Sequence, residues 1–314
     1  MPVASELVVA VALGLLVTNT VGVPDPLAPG VRTHTRWLEA GIVLMGARVS
    51  LSTLLSTGPT LAALVVGVVV LTLVLVECLA NAVFGVRGKL GSLLAAGASV
   101  CGVSAAVGVA GSIDANEDDL AYAAGTILLF DVAMLFAYPV VGSALGLTER
   151  TFGVWAGLTM FSTGPVTAAG FAFGDVAGRW ATVTKLTRNL LLGVLVVAYS
   201  LRYANADTER DGDRVETTGI AGSVRAIWAS FPTFVLGFFA VVVLTSTGLV
   251  PDAATATMER AYKALFLVAF AGLGLSVDVD DLRSTGGTPI ALVLTALLAT
   301  SGLALLAVQA LLSP

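Results

Sequence analysis

Apolar residues run along this chain in long blocks, not in short alternations. Ten blocks approach the roughly 20 residues that carry a helix across a lipid bilayer. They are residues 5–21, 37–55, 60–84, 90–113, 120–145, 152–174, 181–201, 227–249, 261–277 and 289–312. The one long polar stretch, residues 203–225 with "ADTERDGDRVETTG" at its heart, divides seven blocks from three. The pattern predicts an all-α, polytopic membrane protein: one domain over residues 1–314, with about ten transmembrane segments.

Charge sets the expected orientation. If every block crosses, one side receives Arg32, Arg36, Arg87, Lys89, Arg150, Arg202, Arg210, Arg214, Arg225 and Arg283; the other receives Arg179, Arg260 and Lys263. The positive-inside rule then places the 203–225 loop in the cytoplasm and both termini outside a plasma membrane. No basic n-region precedes the first block, so no cleaved signal is expected.

Composition agrees. The chain is 57% hydrophobic and 12% charged, against about 25% charged in a soluble domain. Cys78, Cys101 and the single histidine, His34, are too few and too scattered for a disulfide framework or a metal site. No cofactor motif, Walker A pattern or zinc-protease motif occurs, and a net charge of −5 gives no nucleic-acid signal.

Two weak internal matches stand out. "GARVSLS" at 46–52 resembles "GLGLSVD" at 272–278, each closing an apolar block, and the two blocks would run in opposite directions. That is the mark of an inverted repeat. A fainter pair sets "AAGASVCGVSAA" at 95–106 against "WAGLTMFSTGPV" at 155–166. These blocks would run the same way if both cross, and from opposite faces if both are re-entrant. With only about 23 residues each, full but discontinuous crossings are the expectation.

The same segments are soft. In "SVCGVSAAVGVAG", Gly102 lets the chain bend while Ser99 and Ser104 can satisfy freed backbone groups; in "MFSTGPVTAAG", Gly164-Pro165 disfavours helix. Irregular backbone at membrane depth belongs where it is buried in protein or lines a wet cavity. Two broken helices would aim their half-helix N-termini at one central site. The alternative is close helix packing through small residues, which needs no ligand.

Ionised side chains deep in the bilayer are costly, and the candidates are Arg48, Glu77, Asp131, Lys185 and Arg188. Lys185, Arg188 and Asn189 share a helix face with Thr182, as Arg48 does with Ser52. Three cations against two acids, beside two half-helix N-termini, favour an anion. The substrate-binding candidates are Ser99, Gly102, Ser104, Ser162, Thr163, Gly164, Lys185, Arg188 and Arg48; the coupling candidates are Asp131 and Glu77. The alternative is internal neutralisation, Asp131 with Lys185 or Arg188 and Glu77 with Arg48, or snorkelling of Lys185 and Arg188 to a surface.

The runs "GIVLMGARVSLSTLL", "AAGASVCGVSAAVGVAGSI", "FGVWAGLTMFSTGPVTAAG" and "ATVTKLTRNLLL" resemble the YeiH-type family of proposed sulfate exporters, over residues 15–312. The resemblance implies kinship with bile-acid symporters and cation/proton antiporters, and with it inverted repeats, discontinuous helices and export of sulfate or related sulfur oxyanions. It also implies a departure: the family carries "HDTAQV" where this chain has "FSTGPV" at 161–166, so His, Asp and Gln are replaced by Phe161, Ser162 and Pro165. Family members have one further N-terminal span, which fits an outside N-terminus here.

The expected function is therefore secondary transport of a small anion, coupled to protons or sodium, with the lipid bilayer as surroundings; a homo-oligomer is compatible with it. An anion channel with the same cavity is the alternative. A membrane enzyme would need a nucleophile–base pair or metal ligands at depth, which His34 alone does not supply.

Overall fold

The computed structural model describes residues 2–24, 26, 28–86, 88–211, 232–248, 250–278 and 286–312. Most of the acidic stretch, together with Arg87, Arg214, Arg225 and Arg283, lies outside them.

The described chain is helical, and no strand forms among the described residues. The helices are α1 (Pro2–Thr20), α2 (Ala28–Val31), α3 (His34–Met45), α4 (Leu51–Ala82), α5 (Lys89–Ser99), α6 (Val103–Ile113), α7 (Glu117–Ala144), α8 (Glu149–Thr159), α9 (Thr163–Phe173), α10 (Asp175–Asn189), α11 (Leu192–Asp211), α12 (Phe234–Ser246), α13 (Asp252–Leu275) and α14 (Gly287–Leu312). A 3-10 turn, Gly46–Arg48, joins α3 to α4.

Local signals explain several starts. Asn116 caps α7 by accepting from Asp119 N at 2.7 Å, and Glu117, Asp118 and Asp119 sit in the first turn, where the helix dipole favours acids. Thr148 caps α8 through Thr151 N, with Glu149 following. Among the described residues, four helical stretches are long and apolar enough to cross a membrane: Leu51–Ala82, Glu117–Ala144, Asp175–Ala204 and Gly287–Leu312.

The expected full crossings at 90–113 and 152–174 do not form. Each segment folds back on itself. Lys89 Nζ, at the start of α5, donates to Asp114 O just past the end of α6 at 2.5 Å. At the second hairpin, Phe152 of α8 stacks on Phe173 of α9 with ring centres 4.0 Å apart. Glu149 at its base accepts from Val176 N at 2.8 Å. The two hairpins match closely: eleven helical residues, a break at 100–102 or 160–162, and eleven more. Each arm is about 16 Å long, half a hydrocarbon core.

The hairpins enter from opposite ends of the bundle. One base meets the far part of α11, where Tyr203 Oη lies 3.1 Å from Ser92 Oγ of α5; the other meets the start of α10. The fainter sequence match thus coincides with two equivalent tips of opposed direction. Folding back also moves Arg150. Expected beside Arg32 and Arg36, it sits at the second hairpin's base, over the Trp180 ring at 5.0 Å.

The helices fall into two groups by packing. In one, α1 and α3 flank α13, and α12 lies on α3. In the other, α4, α7, α10, α11 and α14 surround the hairpins. The groups meet chiefly where α1 packs on α9.

Candidate functional site

The two breaks meet in the middle of the bundle. Gly102 has φ +66°, a conformation open to glycine at little cost, and a Cβ placed there would collide with Ser162 Oγ. Gly102 is therefore both a bend and a point of close approach between the tips. The second break falls at Met160–Ser162, earlier than expected. Pro165 lies in the first turn of α9, where a missing N–H removes no intrahelical bond.

At each break one helix ends and another begins, so bare carbonyls and bare N–H groups arise side by side. The carbonyls are taken by two fully buried cations from α10. Arg188 donates to Ala98 O and Ser99 O of the first tip, each at 2.5 Å, and to Leu158 O at 2.7 Å and Met160 O at 3.0 Å in the second. Lys185 Nζ donates to Val100 O at 2.7 Å, Met160 O at 3.0 Å and Phe161 O. Positive charge thus sits at the negative dipole ends of α5 and α8.

The N–H groups are treated differently. Neither Gly102 nor Ser162 makes a side-chain cap, so the first turns of α6 and α9 keep N–H groups without intrahelical partners. One donor is used: Ser162 N bonds Asp131 Oδ1 at 3.0 Å. The other oxygen, Asp131 Oδ2, is buried and has no partner among the described residues, and Asp131 forms no ion pair within 4.0 Å there.

A cavity of about 360 Å³ opens on these N-termini, lined on one wall by Cys101, Ser104, Ser162, Thr163, Gly164 and Asn189. Asn189 Nδ2 donates to Thr163 Oγ1 at 3.1 Å, while its Oδ1 is buried without a partner among the described residues. The opposite wall comes from α3 and α13, with His34, Glu39, Leu38 and Leu273.

Among the expected binding residues, Ser104, Ser162, Thr163 and Gly164 come together on this cavity. Ser99, Gly102, Lys185 and Arg188 stand behind the tips and do not line it. Ser99 Oγ donates to Ala96 O within its own helix. Arg48 lies at another end of the bundle, paired with Glu259 at 2.8 Å. Glu77 is also remote: it accepts from Arg202, Tyr199 and Ser92 at 2.8–2.9 Å, tying α4, α5 and α11 together. The considered pairing of Glu77 with Arg48 therefore does not form, because each has a nearer partner. His34, expected in a loop, instead opens α3, with its Nδ1 2.9 Å from Val31 O. His34 and Glu39 both line the cavity, and the sequence signal for Glu39 is a glutamate inside the apolar run "WLEAGIVLM".

Sequence comparison agrees with a membrane protein. The family model described as conserved hypothetical protein 698 matches residues 1–293. The chain belongs to this family. Among its relatives is a UPF0324 membrane protein of Nitratidesulfovibrio vulgaris, 33% identical over 281 residues, covering 90% of this chain and 77% of the relative. The UPF0324 membrane protein Cgl0015/cg0018 of Corynebacterium glutamicum is 32% identical, covering 92% and 80%. The UPF0324 membrane protein TauZ of Paracoccus pantotrophus is 31% identical, covering 96% and 89%. No solved structure matches.

Proposed function

We propose that this protein is a secondary transporter of a small anion, with the cavity at the hairpin tips as its substrate site. One observation carries the reading: two half-helix N-termini, uncapped by side chains, face one cavity, while the matching C-termini are neutralised by Lys185 and Arg188. N–H groups and dipole ends of this sign attract an anion, and Ser104, Ser162 and Thr163 add hydroxyls. The two cations do not touch the cavity, yet against Asp131 they leave one positive charge in a dry interior, where fields reach far.

In this reading eight segments cross the membrane and the two hairpins are re-entrant, arranged as an inverted repeat. The end bearing Arg32, Arg36 and Lys89 faces the cytoplasm by the positive-inside rule. Asp131 is the coupling group, its free oxygen taking a proton during part of the cycle. The resemblance to YeiH-type exporters supports a sulfur oxyanion as substrate and the plasma membrane as location.

Counterflow in liposomes tests the proposal. Purified protein should exchange internal sulfate, sulfite or thiosulfate for the labelled external anion, with saturation and a steep temperature dependence. Weakly temperature-dependent flux down a voltage alone would identify a channel. No exchange of any of these anions, or of small carboxylates, by correctly folded protein would refute it.

A further inference from the structure

Four helices run from the cavity to the other end of the bundle: α3 from His34 to Met45, α10 from Asn189 back to Asp175, α12 from Phe234 to Ser246 and α13 from Leu273 back to Asp252. At that end the 3-10 turn after α3, the start of α4, and α10, α12 and α13 line a second cleft of two adjoining lobes, about 170 and 530 Å³, which share Arg48, Val49, Ser50 and Arg179. Along α10, Arg179 and Asn189 stand about 15 Å apart. Phe171, Tyr262, Phe266 and Phe270 pack as an aromatic cluster, and Tyr262, Phe266 and Phe270 are fully buried within α13 between its two ends.

The positive charge of the cleft is concentrated in its inner lobe. Arg48, Glu259, Lys263 and Asp175 form a chain of ion pairs at 2.8, 3.0 and 3.4 Å, two cations against two acids. Arg179 is half-buried, lines both lobes, and has neither an ion pair nor a hydrogen bond among the described residues. The inner lobe holds Arg48 and Arg179 with Ser50 and Thr53, and no acidic side chain lines it among the described residues. Asp252 lines only the outer lobe, at the N-terminus of α13, where the helix dipole holds it. The inner lobe has room for about five waters, enough for a tetrahedral oxyanion.

We infer that Arg179 and Arg48 form a second oxyanion site, a vestibule at the end of the bundle opposite the cavity. Its part in transport, as the stop where the anion waits on the far side of the aromatic barrier, rests on the proposed function. The binding itself does not. The same chemistry suits the phosphate of an anionic lipid headgroup as well as a free oxyanion, and the test separates the two.

Ser50→Cys, in a background of Cys78→Ser and Cys101→Ser, places a thiol in the inner lobe. Full-length protein in phosphatidylcholine nanodiscs is labelled with an anionic or a cationic thiosulfonate of equal size. The anionic reagent should react faster. Arg179→Gln should lower the anionic-to-cationic rate ratio about tenfold, and Arg179→Lys should keep it. Sulfate should slow labelling in the Arg179 protein and not in the Arg179→Gln variant. Protection by phosphatidylglycerol nanodiscs and not by sulfate would assign the site to lipid phosphate. A ratio unchanged by Arg179→Gln, in protein with an unaltered melting temperature, would overturn the site. Labelling is read without transport, so failed counterflow alongside a charge-selective ratio would refute the transporter and leave the vestibule standing.

Discussion

Gly102 and Ser162 touch across the two hairpin tips, with no room for a Cβ on the glycine beside the serine hydroxyl. Gly102→Ala meets two costs at once: a side chain at φ +66° and the clash itself. It should destabilise the protein by about 1–3 kcal/mol from the backbone alone, and more from the contact. Thermal unfolding in detergent checks this. Ser162→Gly should restore the part due to the clash and leave the part due to φ.

Arg188 should matter first to folding. It bonds four carbonyls, of which only Met160 O has a second side-chain donor, Lys185 Nζ, among the described residues. Arg188→Met leaves buried polar groups unsatisfied, at about 3–5 kcal/mol for a buried charged network with one partner removed. Folded yield and melting temperature should fall sharply. A variant that folds normally and loses only anion affinity would assign Arg188 to the substrate instead.

Asp131→Asn keeps an oxygen for Ser162 N and removes the charge. Anion binding should remain measurable, since charge repulsion near the cavity falls. Flux should no longer respond to an imposed pH gradient. Flux that follows the gradient as in the parent would take Asp131 out of the coupling role.

The hairpins predict labelling that full crossings forbid. In sealed vesicles, cysteines at Val83 and Asp118 should react from one side, because the α5–α6 hairpin returns the chain to the end it left. Cysteines at Leu145 and Val176 should both react from the other. Opposite-side labelling within either pair would sink the fold-back.

Much of this was legible in the residues. The apolar blocks at 60–84, 120–145 and 289–312 correspond to α4, α7 and α14, and Gly102 does bend the chain. The fold-back was hidden for a physical reason. Hydropathy counts buried residues, and 23 apolar residues bury the same side chains whether they cross once or dip and return. Direction entered only through the fainter repeat, whose two copies are opposed if they are hairpins. The shared face of Lys185 and Arg188 was also legible, but not their partners. Those are backbone carbonyls, which every residue has and no letter announces. Arg48 misled through position alone, since its partner Glu259 lies on a helix far along the chain.

One pair of cations closes both tips. Withdrawing Arg188 from Ser99 O would strip Leu158 O as well, and Lys185 likewise spans Val100 and Phe161. The half-length arms are therefore fastened like two halves of a clasp by a single pin. Neither can slide, tilt or melt while the other holds its place, and any movement that turns the cavity toward the opposite end must carry both arms and α10 as one piece.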